Sequence, residues 1–292
     1  MGVKIGLLFI KLIGHLPFRV LFIISDCFYL LVRLSGYRKN VVMTNLRNSF
    51  PEKSEEELKL IAKKFFHHLC DLFFETFKLV SITEAQIRER VQVENMELLD
   101  KYYDEGKDVV AVLGHYGNWE WIPSINLFIK AQGCEIYHIL KSKAYDKFML
   151  DLRSKWGTLN FTMKTSYRSI YKLKMMNKRF VIGVISDQTP AKSKIQYYSE
   201  FLNQDTPIHL GAEKMAVKLN SPVVFLRFDK LKRGYYKLTV EPLVENPQET
   251  EEYEITNLHT KYLENIIKEK PEFWLWSHKR WKHKREDVFK LA

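Results

Sequence analysis

"VVAVLGHYGNWEWIP", residues 109–123, decides the architecture. Five small, β-branched or aliphatic residues run to Leu113 and break at Gly114. A short, continuously apolar run is what a strand covered on both faces of a parallel sheet requires. Beyond it come His115, Gly117, Asn118 and Glu120, with Trp119 and Trp121 on either side of the acid. In open α/β sheets, sites collect beyond the carboxyl ends of strands, so this run puts chemistry where the fold supports it. Gly114 and Gly117 permit a tight path, Asn118 suits a helix cap, and Pro123 is tolerated in a first turn. A helix is therefore expected to start between 118 and 121 and to run through Ile122–Lys130. The turn lets His115 sit in a loop and Glu120 in the first helical turn, with the carboxylate accepting from one ring nitrogen and leaving the other as a base.

Working outward, "FVIGVIS" (180–186) repeats the pattern: a buried strand ending on Asp187 and Gln188. "VQVEN" and "EIYHIL" (135–140) read as strands, and "IQYYSEF" as a short one in a polar loop. "PVVFLRF" and "YYKLTVEPL" read as a hairpin across "DKLKRG". Helices are expected over 54–78, 83–90, 96–104, 143–155, 166–177, 209–219 and 250–269. The first opens on Ser54 and Glu57, the spacing of a capping box. Alternating strands and helices give an α/β fold with a predominantly parallel central sheet flanked by helices, made mixed by the late hairpin.

The N-terminal stretch "VKIGLLFIKLIGHLPFRVLFIISDCFYLLVRLSGY" (3–37) is strongly apolar but broken by Lys11, His15, Arg19, Asp26 and Arg33. No uncharged run approaches the roughly 20 residues of a spanning helix. One or two helices lying in a membrane interface are expected, with two ordinary packing helices as the alternative. The chain accordingly divides into a membrane-associated segment, 1–36, and a main domain, 37–292.

The 292 residues carry a net charge of +11 and a pI near 9.3. Such a surface attracts polyanions. No zinc-finger spacing or RNA-binding aromatic motif accompanies it, so nucleic acid is not the expected partner. Three widely spaced cysteines, Cys27, Cys70 and Cys134, argue against a disulfide or zinc framework. His67 and Asp71 stand four apart on one helix without a complete ligand set, and no metal is expected. Residues 141–179 hold 11 Lys or Arg against two acids, and "HKRWKHKR" (278–285) holds five against none. Arg280 is the better phosphate ligand among the latter, and Trp281 reads as an interface anchor. Trp119 and Trp121 either wall a channel beside the motif or pack their helix on the sheet. His138 and His209 read as structural.

A free histidine base suits removal of a hydroxyl proton as that oxygen attacks an activated carbonyl, and no "GxSxG" elbow offers a serine nucleophile. "HYGNWE" resembles the histidine, four residues, acid motif of the glycerolipid and lipid A acyltransferases. "RKNVVMTNLRNSFP" (38–51), "SDQTP" (186–190), "GAEKMAVKLNSPVV" (211–224) and "PEFWLWSHKRWK" (271–282) are similar to further stretches of the bacterial lipid A late acyltransferases, in the expected order. The resemblance covers about 5–285. It implies a glycerolipid-acyltransferase-like fold at the cytoplasmic face of a bacterial inner membrane. It implies acyl transfer from acyl carrier protein to a hydroxyl of a lipid A precursor or related glycolipid, with no cofactor. It implies His115 as base, Glu120 as its orienting acid and Asp187 as a further acid near the centre, with Gln188 beside it. It also implies an acceptor-binding arginine, Arg153 or Arg168. Two positions depart from the pattern: Tyr116, and Asn203 where a glycine is expected. Another lysolipid or lipoamino acid acceptor is the alternative, and a silent basic membrane- or nucleic-acid-binding protein a more distant one.

Overall fold

The computed structural model describes residues 2–289. Four helices come first: α1 (Gly2–Gly14), α2 (Phe18–Ser35), α3 (Lys39–Ser49) and α4 (Glu55–Lys78). Ser54 and Glu57 close the expected capping box on α4, satisfying two N-terminal donors reciprocally. Then follow α5 (Glu84–Arg90), β1 (Val91–Glu94), α6 (Met96–Asp104), β2 (Val109–Leu113), β3 (Gln132–Tyr137), α7 (Lys143–Arg153), β4 (Leu159–Thr162), α8 (Ser166–Met175) and β5 (Phe180–Ile185). The chain continues through β6 (Tyr197–Phe201), β7 (Gln204–Ile208), α9 (Gly211–Leu219), β8 (Val223–Lys232), β9 (Tyr235–Val244), α10 (Glu254–Glu269) and α11 (Arg285–Phe289).

Seven strands form one sheet in the order β1-β9-β8-β2-β5-β3-β4, and only β8–β9 pair antiparallel. β2 is central and every residue of it is buried. Its pleat sends alternate side chains to opposite layers. Val110 and Val112 pack with α3, α4, α9 and α10, while Val109, Ala111 and Leu113 pack with α6 and the segment after β2. β6 and β7 form a separate hairpin. Its turn holds Leu202 and Asn203 at φ of 52° and 60°, so the asparagine in the glycine position adopts the left-handed backbone a glycine would.

Four local expectations shift. The segment after β2 is a run of 3-10 turns, Trp119–Leu127, rather than an α-helix through Lys130; Pro123 lies inside it and supplies no N–H. β3 runs Gln132–Tyr137, displaced from the expected 135–140. β4 and α3, both short, were not anticipated as elements.

The expected membrane attachment is overturned, and with it the inner-membrane location that the resemblance implied. No described helix is long and apolar enough to cross a membrane. α1 and α2 instead lie against α4, where Leu21 packs on Phe74 and Phe77. Asp26, read as a costly charge in hydrocarbon, is paired with Arg233 and His67.

Candidate active site

β2 and β5 are parallel neighbours, with Leu113 in register with Ile185. Two residues beyond that pair stand His115 and Asp187, so the register itself brings the two side chains together. His115 Nδ1 lies 2.6 Å from Asp187 Oδ1, and the His115 backbone N–H donates to Asp187 Oδ2 at 2.8 Å. The indole Nε1 of Trp274 donates to the same Oδ2, also at 2.8 Å. Burial alone would raise the Asp187 carboxyl. The His115 ring and the three hydrogen bonds outweigh it and hold the pKa at about 2. An ionised Asp187 requires the proton on Nδ1, which leaves the Nε2 lone pair open. Gln188 reaches that nitrogen, its amide Nε2 3.2 Å away.

Glu120 does not touch His115. The geometry corrects that pairing and gives the ring's orienting contact to Asp187. Gly117 has φ +63°, and the 3-10 turn begins two residues later, which aims Glu120 sideways. There Arg153, at the C-terminus of α7, grips it with two nitrogens: Nη2 to Oε1 at 3.0 Å and Nε to Oε2 at 3.2 Å. Burial would lower the Arg153 guanidinium, but the Glu120 carboxylate raises it above its ordinary value. Glu135 stands 3.8 Å from the same guanidinium, its pKa pushed up to about 7 by burial.

Below the turn, α4 holds the motif. His68 Nε2 contacts the Gly117 carbonyl at 3.1 Å. Asn118 caps nothing; it donates to Glu75 Oε2 at 2.8 Å, and Tyr236 donates to the same oxygen. Trp121 Nε1 donates to the Glu75 backbone carbonyl. A Cβ on Gly117 would lie 1.9 Å from the Phe228 carbonyl oxygen, so the turn is sealed against β8. From the tail, Trp274 bridges to Tyr116, and Phe273 accepts from the Gly117 N–H.

Of the other candidates, Trp119 lies edge-on to His115 with ring centroids 5.1 Å apart. Trp121 is fully buried between Phe18 and Tyr236 and packs the turn on the core. Arg168 is exposed in the first turn of α8. Arg280 is 1 % exposed, its guanidinium inside the protein rather than on a phosphate-facing surface. Trp281 is no anchor: it packs inward against Phe201 and Trp274 and donates to Thr206 Oγ1 at 2.7 Å. His67 and Asp71 enter an ionic cluster with Asp26, Lys230 and Arg233. Among the described residues, no group of three or more His, Cys, Asp or Glu is placed to hold a metal ion. The Trp274–Asp187 bond and the α4 cradle lay outside sequence reasoning. Asp187 carried one readable signal: like His115, it stands two residues beyond a buried strand.

The family model described as bacterial lipid A biosynthesis acyltransferase matches residues 1–283. No curated protein matches the chain.

Proposed function

Because the chain belongs to the bacterial lipid A biosynthesis acyltransferase family and is an acyltransferase, we propose that it moves a fatty acyl group from acyl carrier protein to a hydroxyl of a lipid A precursor or related glycolipid. In this reading residues 37–292 carry the transferase domain. His115 Nε2 takes the proton of the acceptor hydroxyl as that oxygen attacks the thioester carbonyl. The ester C–O bond forms, the C–S bond breaks, and the same proton passes from Nε2 to the departing thiolate. No acyl-enzyme is needed.

The observation that carries the proposal is the 2.6 Å contact between His115 Nδ1 and Asp187. It supports Asp187, in place of Glu120, as the acid that fixes the ring's tautomer and steadies the imidazolium. Glu120 and Arg153 then form a rigid charged pair at the mouth of the site, and Trp119 a wall beside the ring. Arg168 is the arginine whose exposure suits the acceptor's anionic groups.

The test uses the purified full chain, labelled acyl carrier protein thioester and a panel of lipid hydroxyl acceptors read by mass spectrometry. Acylation of the glycolipid should fall about 10²–10⁴-fold in His115→Ala, the range of a lost general base. Undiminished turnover would remove His115 from the mechanism. Exclusive acylation of a lysophospholipid would reject the glycolipid acceptor while leaving the chemistry intact.

A further inference from the structure

α8 shows solvent a regular face. Tyr167, Tyr171 and Met175 follow one another four residues apart and are all exposed, the last two at 65 % and 73 %. Arg168 and Lys172 form a parallel row beside them, exposed as well. Met163 and Lys164, both exposed in the turn before the helix, lead into the two rows. Residues four apart on a helix lie on one side of it, so the rows are an apolar ridge and a basic ridge side by side. Large apolar side chains scattered singly on a surface are ordinary, but four in line are not.

The charge of this face is unopposed. No Asp or Glu occurs in the sequence from 152 to 186. The two acids just upstream are engaged: Asp151 with Lys147 at 3.0 Å, and Asp146 with the Leu140 N–H at 2.8 Å. Lys174 and Arg179 turn to Asp108, each at 3.6 Å, whereas Lys164 and Lys172 stay in solvent. Lys218 of α9 adds a further ammonium, 5.4 Å from the Tyr167 ring centroid. The face also begins at the edge of the sheet that carries His115. Leu113, Ile185, Tyr137 and Thr162 share one level across β2, β5, β3 and β4 through their parallel registers. His115 stands two residues beyond that level on β2, and Lys164 two residues beyond it on β4. Neighbouring strands are about 4.8 Å apart, which puts the head of α8 about 14 Å along the sheet edge from His115.

We propose that this face of α8 is the docking surface for the carrier protein that brings the acyl thioester, and that the carrier meets it with an acidic helix. This docking surface rests on the donor proposed above. Carboxylates of the carrier pair with Lys164 and Lys172, and apolar residues along the edge of its helix pack on the Tyr167–Tyr171–Met175 ridge. A ridge of side chains four apart fits the groove of a second helix better than a flat lipid surface. Met adapts its shape to a partner, and Met and Tyr are both enriched in protein interfaces. A second copy of this chain is the wrong partner, since a two-fold contact would set the lysines against one another. Complementary charge steers the carrier to the edge of the sheet where its thioester is used. Arg168 lies within the basic row and is kept out of the test, because it is the residue proposed for the acceptor.

Fluorescence anisotropy measures binding of acyl carrier protein to the full chain. Mass spectrometry measures transfer from two donors, the carrier thioester and the same acyl group on pantetheine. The double substitution Lys164→Glu, Lys172→Glu should weaken carrier binding by about tenfold or more. It should raise KM for the carrier thioester in step and leave transfer from acyl-pantetheine unchanged. Tyr171→Ala with Met175→Ser should weaken binding without changing its salt dependence, which separates the apolar ridge from the charges. Carrier binding unaffected by the charge reversal overturns the docking surface, as does equal loss of transfer from both donors. So does lost binding to phosphatidylglycerol vesicles with carrier binding intact, which gives the face to a lipid surface. A wild-type chain that uses only acyl-pantetheine refutes the donor reading. A charge-reversed chain that still binds and turns over the carrier thioester like the wild type refutes the docking surface alone.

Discussion

His115 has one committed ring nitrogen and one contested. Asp187 holds Nδ1, and the Gln188 amide lies 3.2 Å from Nε2, the nitrogen that the proposed mechanism offers to a substrate hydroxyl. In that mechanism the acceptor would displace a weak side-chain contact rather than enter an unclaimed position. Asp187→Asn tests the arrangement at constant shape. An amide can present its NH₂ to Nδ1 and stabilise the opposite tautomer, which should lower kcat by about 10⁴ while the fold survives. Single-turnover transfer, with circular dichroism as the check on folding, measures it; a loss under tenfold would place the orienting role elsewhere. The pH behaviour follows from the same contact. Asp187 titrates at about 2, below its ordinary value of 3.8, so the native state binds fewer protons than the unfolded chain in that window. Its contribution to stability is complete above the unfolded value and is lost as pH falls toward 2. His115 was legible because its motif is local. Its partner was not, because 72 residues separate Asp187 from it and only the β2–β5 register joins them. Glu120 drew the wrong contact because spacing along the chain does not show where a left-handed glycine sends the next turn.

At the scale of elements, the turn that carries His115 is a passenger on α4 and β8. Glu75, wholly buried, accepts from Asn118 and Tyr236 and has its other oxygen without a partner. Burial raises its pKa to about 7; Asp71 adds to the rise, and the Lys230 ammonium opposes it together with the Tyr236 and Asn118 hydrogen bonds. The sign follows: between 4.5 and about 7 the native protein keeps a proton the unfolded chain has released, so stability falls as pH rises through that window and levels above it. Glu75→Gln should flatten this slope in urea unfolding measured from pH 4.5 to 7.5, and an unchanged slope would assign it to another group. Gly117→Ala addresses the same turn from its other side. A side chain must meet the Phe228 carbonyl and sit at φ +63°, so the loss should exceed the roughly 1–3 kcal/mol of backbone strain alone. Urea midpoints of the two proteins give the value. Elements with strong local signals were readable, such as α4 with its capping box and the uninterrupted apolar β2. β4 was not: four residues, all only partly buried, carry too little alternation to stand out. Nor was the 3-10 character of 119–127, since an apolar run containing a proline fits several helical geometries equally.

Across the whole molecule, one arginine ties the N-terminal helices to the sheet. Arg233, in the loop joining β8 to β9, donates to Asp26 of α2 and to Asp71 of α4, and Lys230 of β8 adds a second cation on Asp71 at 3.0 Å. An apolar sequence interrupted by charges looks the same whether it is destined for lipid or for a packed layer. What separates the two is where the charges go, and Asp26 goes to a side chain 207 residues away. The two carboxylates should not matter equally. Asp71 has only 1 % of its side chain exposed, whereas Asp26 has 49 %. An exposed pair contributes about 0–1 kcal/mol, but removing a partner from a buried charge costs about 3–5 kcal/mol. Arg233→Met should therefore cost about 3 kcal/mol, the low end of that range, because Lys230 still serves Asp71. Asp26→Asn should cost less than about 1 kcal/mol. The double variant should lose little more than Arg233→Met alone, since Asp26 then has no guanidinium left to forfeit. Urea unfolding of the three proteins at neutral pH decides it. If Asp26→Asn costs as much as Arg233→Met, the attachment of α2 depends on its own ion pair, and the buried Asp71 is not the anchor that holds helices and hairpin together.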